Sequence, residues 1–152
     1  MNLVIEEARI GDLNTLVEFQ LKMAMETEEL QLDRETLSKG VKAVYEDPTK
    51  ARYFVARIDE RVVGMLMITL EWSDWRNGWV WWIQSVYVEQ EFRKDGVFRS
   101  LYSYIRNVVE NSDSIRGLRL YVDKRNIKAQ KVYDAIGMTG EHYTTYEWMK
   151  NN

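Results

Sequence analysis

The apolar positions change period several times along the chain, and each change marks an element. "LVIEEAR" (3–9) reads as a short strand. After Asp12 the apolar residues Leu13, Leu16, Val17, Leu21 and Ala24 fall on one stripe of a helix. Asp12 is a residue type suited to cap its start. "ETEELQ" (26–31) is a polar break, and Asp33 is expected to cap a second helix with its stripe at Leu37, Val41, Val44 and Tyr45. Asp47-Pro48 should end that helix, because the residue before proline avoids helical angles. "RYFVARID" (52–59) alternates as a strand does, "DER" (59–61) is a tight turn, and "VVGMLMITLEW" (62–72) is a longer strand.

"SDWRNG" (73–78) contains Asn77-Gly78, a hairpin signal because both residue types tolerate positive φ. "WVWWIQSVYV" (79–88) is apolar on nearly both faces, so it should lie centrally in a sheet covered on both sides. Val97, Leu101, Tyr104, Ile105 and Val108 then form a helical stripe. "GLRLYVD" (117–123) is a strand, and "NIKAQKVYDAIG" (126–137) is a short helix with Gly137 past its end. "EHYTTYEWM" (141–149) alternates with polar residues and is expected to be a last strand. The predicted order is β-α-α-β-β-β-α-β-α-β, an α/β domain of the α+β type: a mixed, mostly antiparallel twisted sheet with helices on both faces.

Composition narrows the chemistry. The 152 residues fit one domain, expected over 1–152, with no linker, repeat or low-complexity segment. No apolar run of about 18 residues suggests a membrane span, and the N-terminus lacks a basic-then-apolar leader, so a cytoplasmic setting is expected. With no cysteine, thiol nucleophiles and zinc-thiolate sites are excluded. With one histidine, His142, a multi-His metal site is impossible and a Ser-His-Asp triad would have to use that residue. No metal is expected, and a net charge of -3 gives no reason to expect nucleic acid. Trp72, Trp75, Trp79, Trp81 and Trp82 crowd one region, as an acceptor pocket, as core packing or as a surface for a homodimer.

The break after Val88 carries the most chemistry. A strand ends there, and a helix begins near Gly96 after Arg93 and Lys94. The first turn of a helix has unpaired N–H donors and a partial positive charge, and glycine lets a ligand come close. Such a junction suits a phosphate or pyrophosphate, although many strand-to-helix loops carry a glycine and a basic residue with no ligand. A P-loop and the Gly-x-Gly-x-x-Gly dinucleotide fingerprint are both missing.

Arg93-Lys94-Asp95-Gly96-Val97-Phe98 resembles the pyrophosphate loop, Arg/Gln-x-x-Gly-x-Gly/Ala, of the GNAT superfamily of acyl-CoA-dependent N-acetyltransferases. "LRLYVDKRNIKAQKVYDAIGM" (118–138) is similar to the family's fifth strand and next helix, with Asn126, Ala129, Tyr133 and Gly137 in the matching pattern, and "IEEARIGDL" (5–13) resembles its opening. The likeness covers essentially the whole chain and is most specific over 79–138. Two positions depart from the pattern: Phe98 stands where Gly or Ala is usual, and Asp95 adds a negative charge to the loop.

The resemblance implies acetyl-CoA as acyl donor and a primary amine of a small molecule or peptide as acceptor. Backbone groups of Val86, Tyr87 and Val88 would pair with the pantetheine arm, and the N–H groups from Lys94 through Arg99 would hold the pyrophosphate. Asn126 and Ala129 would lie on the pantetheine or acceptor side. Tyr133 would give the leaving thiolate its proton; on its residues alone it is equally a core tyrosine on one helix face with Ala129 and Ile136. The amine must be neutral to attack, yet an alkylamine has a pKa of about 10. The strand offers no carboxylate at the family's usual place for a base, only Trp82, Gln84 and Ser85. Gln84 would order a water, and Glu71 and Asp74 are the candidate carboxylates, or else solvated hairpin charges. Glu26, Glu28 and Glu29 are expected between the first two helices, near an acceptor mouth. The alternative function is a non-catalytic GNAT-like module that binds CoA or a protein partner.

Overall fold

In the computed structural model, which describes residues 2–150, the elements are β1 (Leu3–Glu7), α1 (Leu13–Glu28), α2 (Arg34–Glu46), β2 (Arg52–Ile58), β3 (Arg61–Ser73), β4 (Gly78–Val88), α3 (Val97–Glu110), β5 (Ile115–Leu120) and α4 (Ile127–Ala135). The five strands form one sheet in sequence order. All neighbours are antiparallel except β4 and β5, which are parallel. The mixed, mostly antiparallel sheet is the expected fold class.

The chain divides into two compact units, one ending at Leu120 and one beginning at Tyr121. In the first unit, successive residues of β2 point to opposite faces, and each face meets a helix. Val55 joins Leu16, Val17 and Phe19 of α1 and Val41 of α2 in one apolar cluster. Phe54 packs on Tyr104 of α3, with ring centroids 5.9 Å apart.

Local chemistry sets most boundaries. The Asp33 carboxylate accepts the Thr36 N–H at 3.0 Å and caps α2, and Asp47 leaves the helix in an extended conformation before Pro48. Asp59 and Glu60 take left-handed angles in the β2–β3 turn. The β3–β4 turn uses positive φ at Asn77 alone. Gly78 is required for a different reason from the one its hairpin signal suggests: a Cβ there would sit 2.9 Å from the Ser114 carbonyl oxygen, and the next N–H, of Trp79, donates to that same oxygen at 2.8 Å.

Three expectations are corrected. Asp12 does not cap α1 with its side chain. Its carboxylate turns back to accept the Arg9 N–H at 2.8 Å and pairs with Arg57 of β2 at 2.7 Å. Glu26 and Glu28 are not in a connecting loop but in the last turns of α1, and only Glu29, at φ 52°, follows the helix. Residues 141–149 form no strand; Tyr143, Tyr146, Trp148 and Met149 are exposed. Alternation alone does not make a strand, because the ladder needs a partner, and among the described residues this segment has none.

The Asp12–Arg57 pair ties the start of α1 to β2, and both residues are buried, at 6% exposure each. Arg57 also donates to Glu6 of β1 at 2.9 Å, so one guanidinium joins three elements. Burial pushes the Asp12 carboxyl up, but the Arg57 and Arg9 hydrogen bonds and both guanidinium charges outweigh it and hold it below the ordinary carboxylate value. A depressed carboxyl contributes stability above its unfolded value that is lost as pH falls through the folded one. Asp12→Ala leaves a buried guanidinium half-paired and should cost about 3 kcal/mol. That corresponds to a melting temperature lower by roughly 6–12 °C for a chain of this size. Thermal melts at pH 7 check this, and the gap between wild type and variant should shrink below about pH 4. A change of under 1 °C at pH 7 would show that the pair adds no stability.

Candidate active site

β4 leads to the site, and a single extra residue shapes it. Met67 of β3 faces Ser85 and Ile68 faces Ile83, so Gln84 has no opposite residue. Such a bulge reverses which face each later side chain takes. Trp81, before it, packs on Phe54, whose other neighbour is Tyr104 of α3. Tyr87, after it, stacks on Phe19 of α1 at 5.0 Å. Six residues apart on an uninterrupted strand, the two would share a face.

The parallel pairing of β4 with β5 runs from Trp79↔Ile115 to Ile83↔Leu120 and stops there. Gln84 through Val88 therefore have no β5 residue beside them, and the Val88 carbonyl is taken by the Arg93 side chain; a strand edge without a partner strand can pair with another extended chain.

A short 3-10 turn, Gln90–Phe92, leads into the loop. Gly96 then takes φ 77° and starts α3, and no side chain caps the helix. Any other residue at this angle is strained, and nothing lies within 4 Å of where a Cβ would be. Val97 is buried, with its Cγ1 3.0 Å from a Cβ built on Gly64, so the helix start is seated on β3. The result is a first turn whose N–H donors no side chain caps, a geometry that accepts an anion. Lys94, Asp95 and Arg99 are exposed around it. Phe98 is half-buried and lies against Tyr102, at 6.3 Å between ring centroids, so its bulk is absorbed along the helix.

Arg93 is committed elsewhere. Its Nε donates to the Val88 carbonyl at 2.8 Å, its Nη2 pairs with Glu26 at 2.6 Å, and its guanidinium lies over the Tyr87 ring. The Tyr87 hydroxyl donates to the other Glu26 oxygen at 3.2 Å. Burial, then the Glu26 charge, push the Tyr87 phenol up. The end of α1 is thereby fastened to the start of the loop.

Glu71 is also committed. It accepts the Trp82 indole N–H at 2.6 Å and pairs with Arg119 of β5 at 3.1 Å. Gln84 donates to the Thr69 hydroxyl at 2.9 Å. Thr69 lies opposite Trp82 and Glu71 opposite Val80, so Glu71, Thr69, Trp82, Gln84 and Arg119 make one polar patch beside the bulge. Asp74 is not part of it; it lies exposed in the β3–β4 turn. The tryptophans divide likewise: Trp81 is core, Trp82 joins the polar patch, Trp72 and Trp79 pair edge to face at 5.1 Å, and Trp75 is exposed.

In the second unit, Asn126 caps α4: its Oδ1 accepts the Ala129 N–H at 3.0 Å. Tyr133 is half-buried on that helix, and burial pushes its phenol up. His142 lies exposed beyond the helix. Among the described residues no group of acidic or histidine side chains is placed to hold a metal ion, and no helix is long and apolar enough to cross a membrane.

Sequence reasoning missed Gln20, Ser85 and Arg119. The signal for Gln20 was a polar residue inside the buried stripe of α1, between Phe19 and Ala24. Arg119 gave no signal, because only the β4–β5 register brings it to Glu71.

The family model of the GNAT acetyltransferase family matches residues 17–138. A possible acetyltransferase from Clostridium difficile 630 is 43% identical, with 100% of both chains covered and a TM-score of 0.94. A transcriptional regulator from Bacillus halodurans C-125 (20% identical, 97% of this chain and 100% of that one, TM-score 0.81) shares the fold. So does an aminoglycoside acetyltransferase from an uncultured soil metagenomic sample, solved with sisomicin (17% identical, 99% and 97%, TM-score 0.76). No curated protein matches the chain. An uncapped α3 behind a left-handed glycine, a half-edge of β4 without a β5 partner and a family match over most of its length together make this chain a member of the GNAT acetyltransferase family.

Proposed function

We propose that the protein transfers an acetyl group from acetyl-CoA to a primary amine of a small molecule or peptide, by direct attack, in the cytoplasm. The observation that carries the donor is the pairing of two backbone features in the first unit. The β4 edge over Val86–Val88 has no β5 partner, and the uncapped N–H groups at the start of α3 follow it. The first suits the amide-bearing arm of CoA and the second its pyrophosphate. Lys94 and Arg99 add charge for the phosphates. Asp95 subtracts some, and Arg93 holds the loop rather than the ligand.

In the reaction the amine nitrogen bonds to the acetyl carbon, the C–S bond breaks, and its electron pair leaves on sulfur. The amine loses a proton and the thiolate gains one. A backbone N–H near Val88 is the donor assigned to the developing oxyanion. Tyr133, a phenol protonated at neutral pH like any tyrosine, is the general acid, and Asn126 and Ala129 hold the start of its helix. The polar patch of Thr69, Glu71, Trp82 and Gln84 receives the acceptor. Glu71, held by Arg119, supplies field and orientation, and a water ordered by Gln84 carries the amine proton away. Asp74 has no part in this account, because nothing in the turn links it to the patch.

Calorimetric titration with acetyl-CoA, free CoA and pantetheine lacking the nucleotide tests the donor. Micromolar binding of the first two and sharply weaker binding of the third is expected. Gly96→Val should abolish binding of all CoA ligands with a modest loss of melting temperature, since its Cβ meets no protein atom. No binding by wild type at millimolar acetyl-CoA would overturn the reading. Tyr133→Phe should leave acetyl-CoA affinity unchanged and lower turnover roughly 10²–10⁴-fold against an amine panel. Unchanged turnover would remove Tyr133 from the mechanism.

A further inference from the structure

A buried amide on α1 is unexplained by packing. Gln20 and Ser85 are each 8% exposed, and the Gln20 Nε2 donates to the Ser85 Oγ at 2.9 Å. Phe19, Met65 and Tyr87 of the apolar core lie in the same cluster, and the Tyr53 hydroxyl, also buried there, is a second hydrogen-bond partner of Gln20. An amide in such a place costs roughly 1–3 kcal/mol of desolvation unless it is bonded. A leucine would fill the same stripe with no amide to desolvate, but it would take a partner from both the Ser85 and the Tyr53 hydroxyl.

What the bond selects is a backbone geometry. Three features coincide within three residues of β4: the last β5 partner is at Ile83, the unopposed residue is Gln84, and the buried bond is at Ser85. Ser85 faces α1 only because the bulge turns it there. In the straight register it would share the face of Ile83 and Trp81, and Gln20 would keep Tyr53 of β2 but lose its partner on β4. The bulge interrupts the ladder, so this side-chain bond stands where a backbone one is missing.

We propose that Gln20 is a positioning residue for acyl transfer: through Ser85 it fixes the bulge and so the direction in which β4 presents the backbone of Val86–Val88. This rests on the reading that the pantetheine arm pairs along that edge. Gln20 touches no ligand. It acts on where the strand points after Gln84.

The test compares two probes in wild type, Gln20→Leu, Ser85→Ala and Ser85→Thr. Acetyl-CoA reaches β4 and the α3 start, whereas ADP offers a pyrophosphate to the α3 start alone. In Gln20→Leu and Ser85→Ala the acetyl-CoA Kd should rise about ten-fold, the worth of one buried hydrogen bond, while the ADP Kd stays within two-fold. Ser85→Thr keeps the hydroxyl and should restore wild-type affinity. The double variant Gln20→Leu/Ser85→Ala should be no weaker than either single one. If wild type binds acetyl-CoA and Gln20→Leu binds it equally well, the inference fails. Parallel weakening of both probes would show general loosening and also overturn it. If wild type binds neither probe, the donor reading itself is at fault. Should Gln20→Leu lack a cooperative melt, the Ser85→Ala and Ser85→Thr pair decides the question alone.

Discussion

One strand has to satisfy two incompatible demands. Over Gly78–Ile83, β4 is an interior strand with β3 on one side and β5 on the other; over Gln84–Val88 it keeps β3 and loses β5. A regular strand has no means of changing its neighbours midway, because its hydrogen-bonding directions and its side-chain faces are locked to the same two-residue period. The extra residue at Gln84 breaks that lock. It reverses the faces, so that Tyr87 reaches Phe19 on α1 while Trp81 stays on Phe54. It also sits where the parallel pairing ends. The change of face and the end of the β5 pairing thus fall at the same place on the strand.

The tethers around that place are mainly side chains from distant parts of the sequence. Gln20 reaches Ser85, Glu26 reaches Arg93 and Tyr87, and Glu71 reaches Trp82 and Arg119. Two come from α1 and one from β3, on either side of the segment that lacks a β5 neighbour. Charged members of the set are neutralised locally, so the site is built from positioned dipoles and backbone donors more than from free charge.

The elements were largely legible in the sequence, because capping residues, proline and apolar period are local signals. Asp33, Asp47-Pro48 and the stripe of α3 behave as their types suggest. The α3 start was legible for the same reason: glycine at the first position after a charged loop is a local demand for positive φ. What escaped depends on partners far along the chain. Asp12 has the right type for a cap, but a buried guanidinium competes for it successfully. The run 141–149 has a strand's alternation and no strand beside it. In β4 the apolar residues on both faces hid the change of period, since a switch of face leaves no trace when both faces are apolar. Glu71 and Arg93 were legible as candidate site residues but not as halves of ion pairs.

The Glu26–Arg93 pair has a kinetic side. With Arg93 cancelled by Glu26, with Asp95 offsetting one of Lys94 and Arg99, and with a net charge of -3 on the whole chain, only a weak positive field extends from the loop into solvent. A polyanion would gain little long-range guidance toward this surface and would arrive near the unassisted rate of diffusion and docking. Its capture would then depend on short hydrogen bonds formed after contact, which dissolved salt screens weakly. The same arrangement would spare the surface from collecting nucleic acid and other polyanions that a bare basic loop attracts.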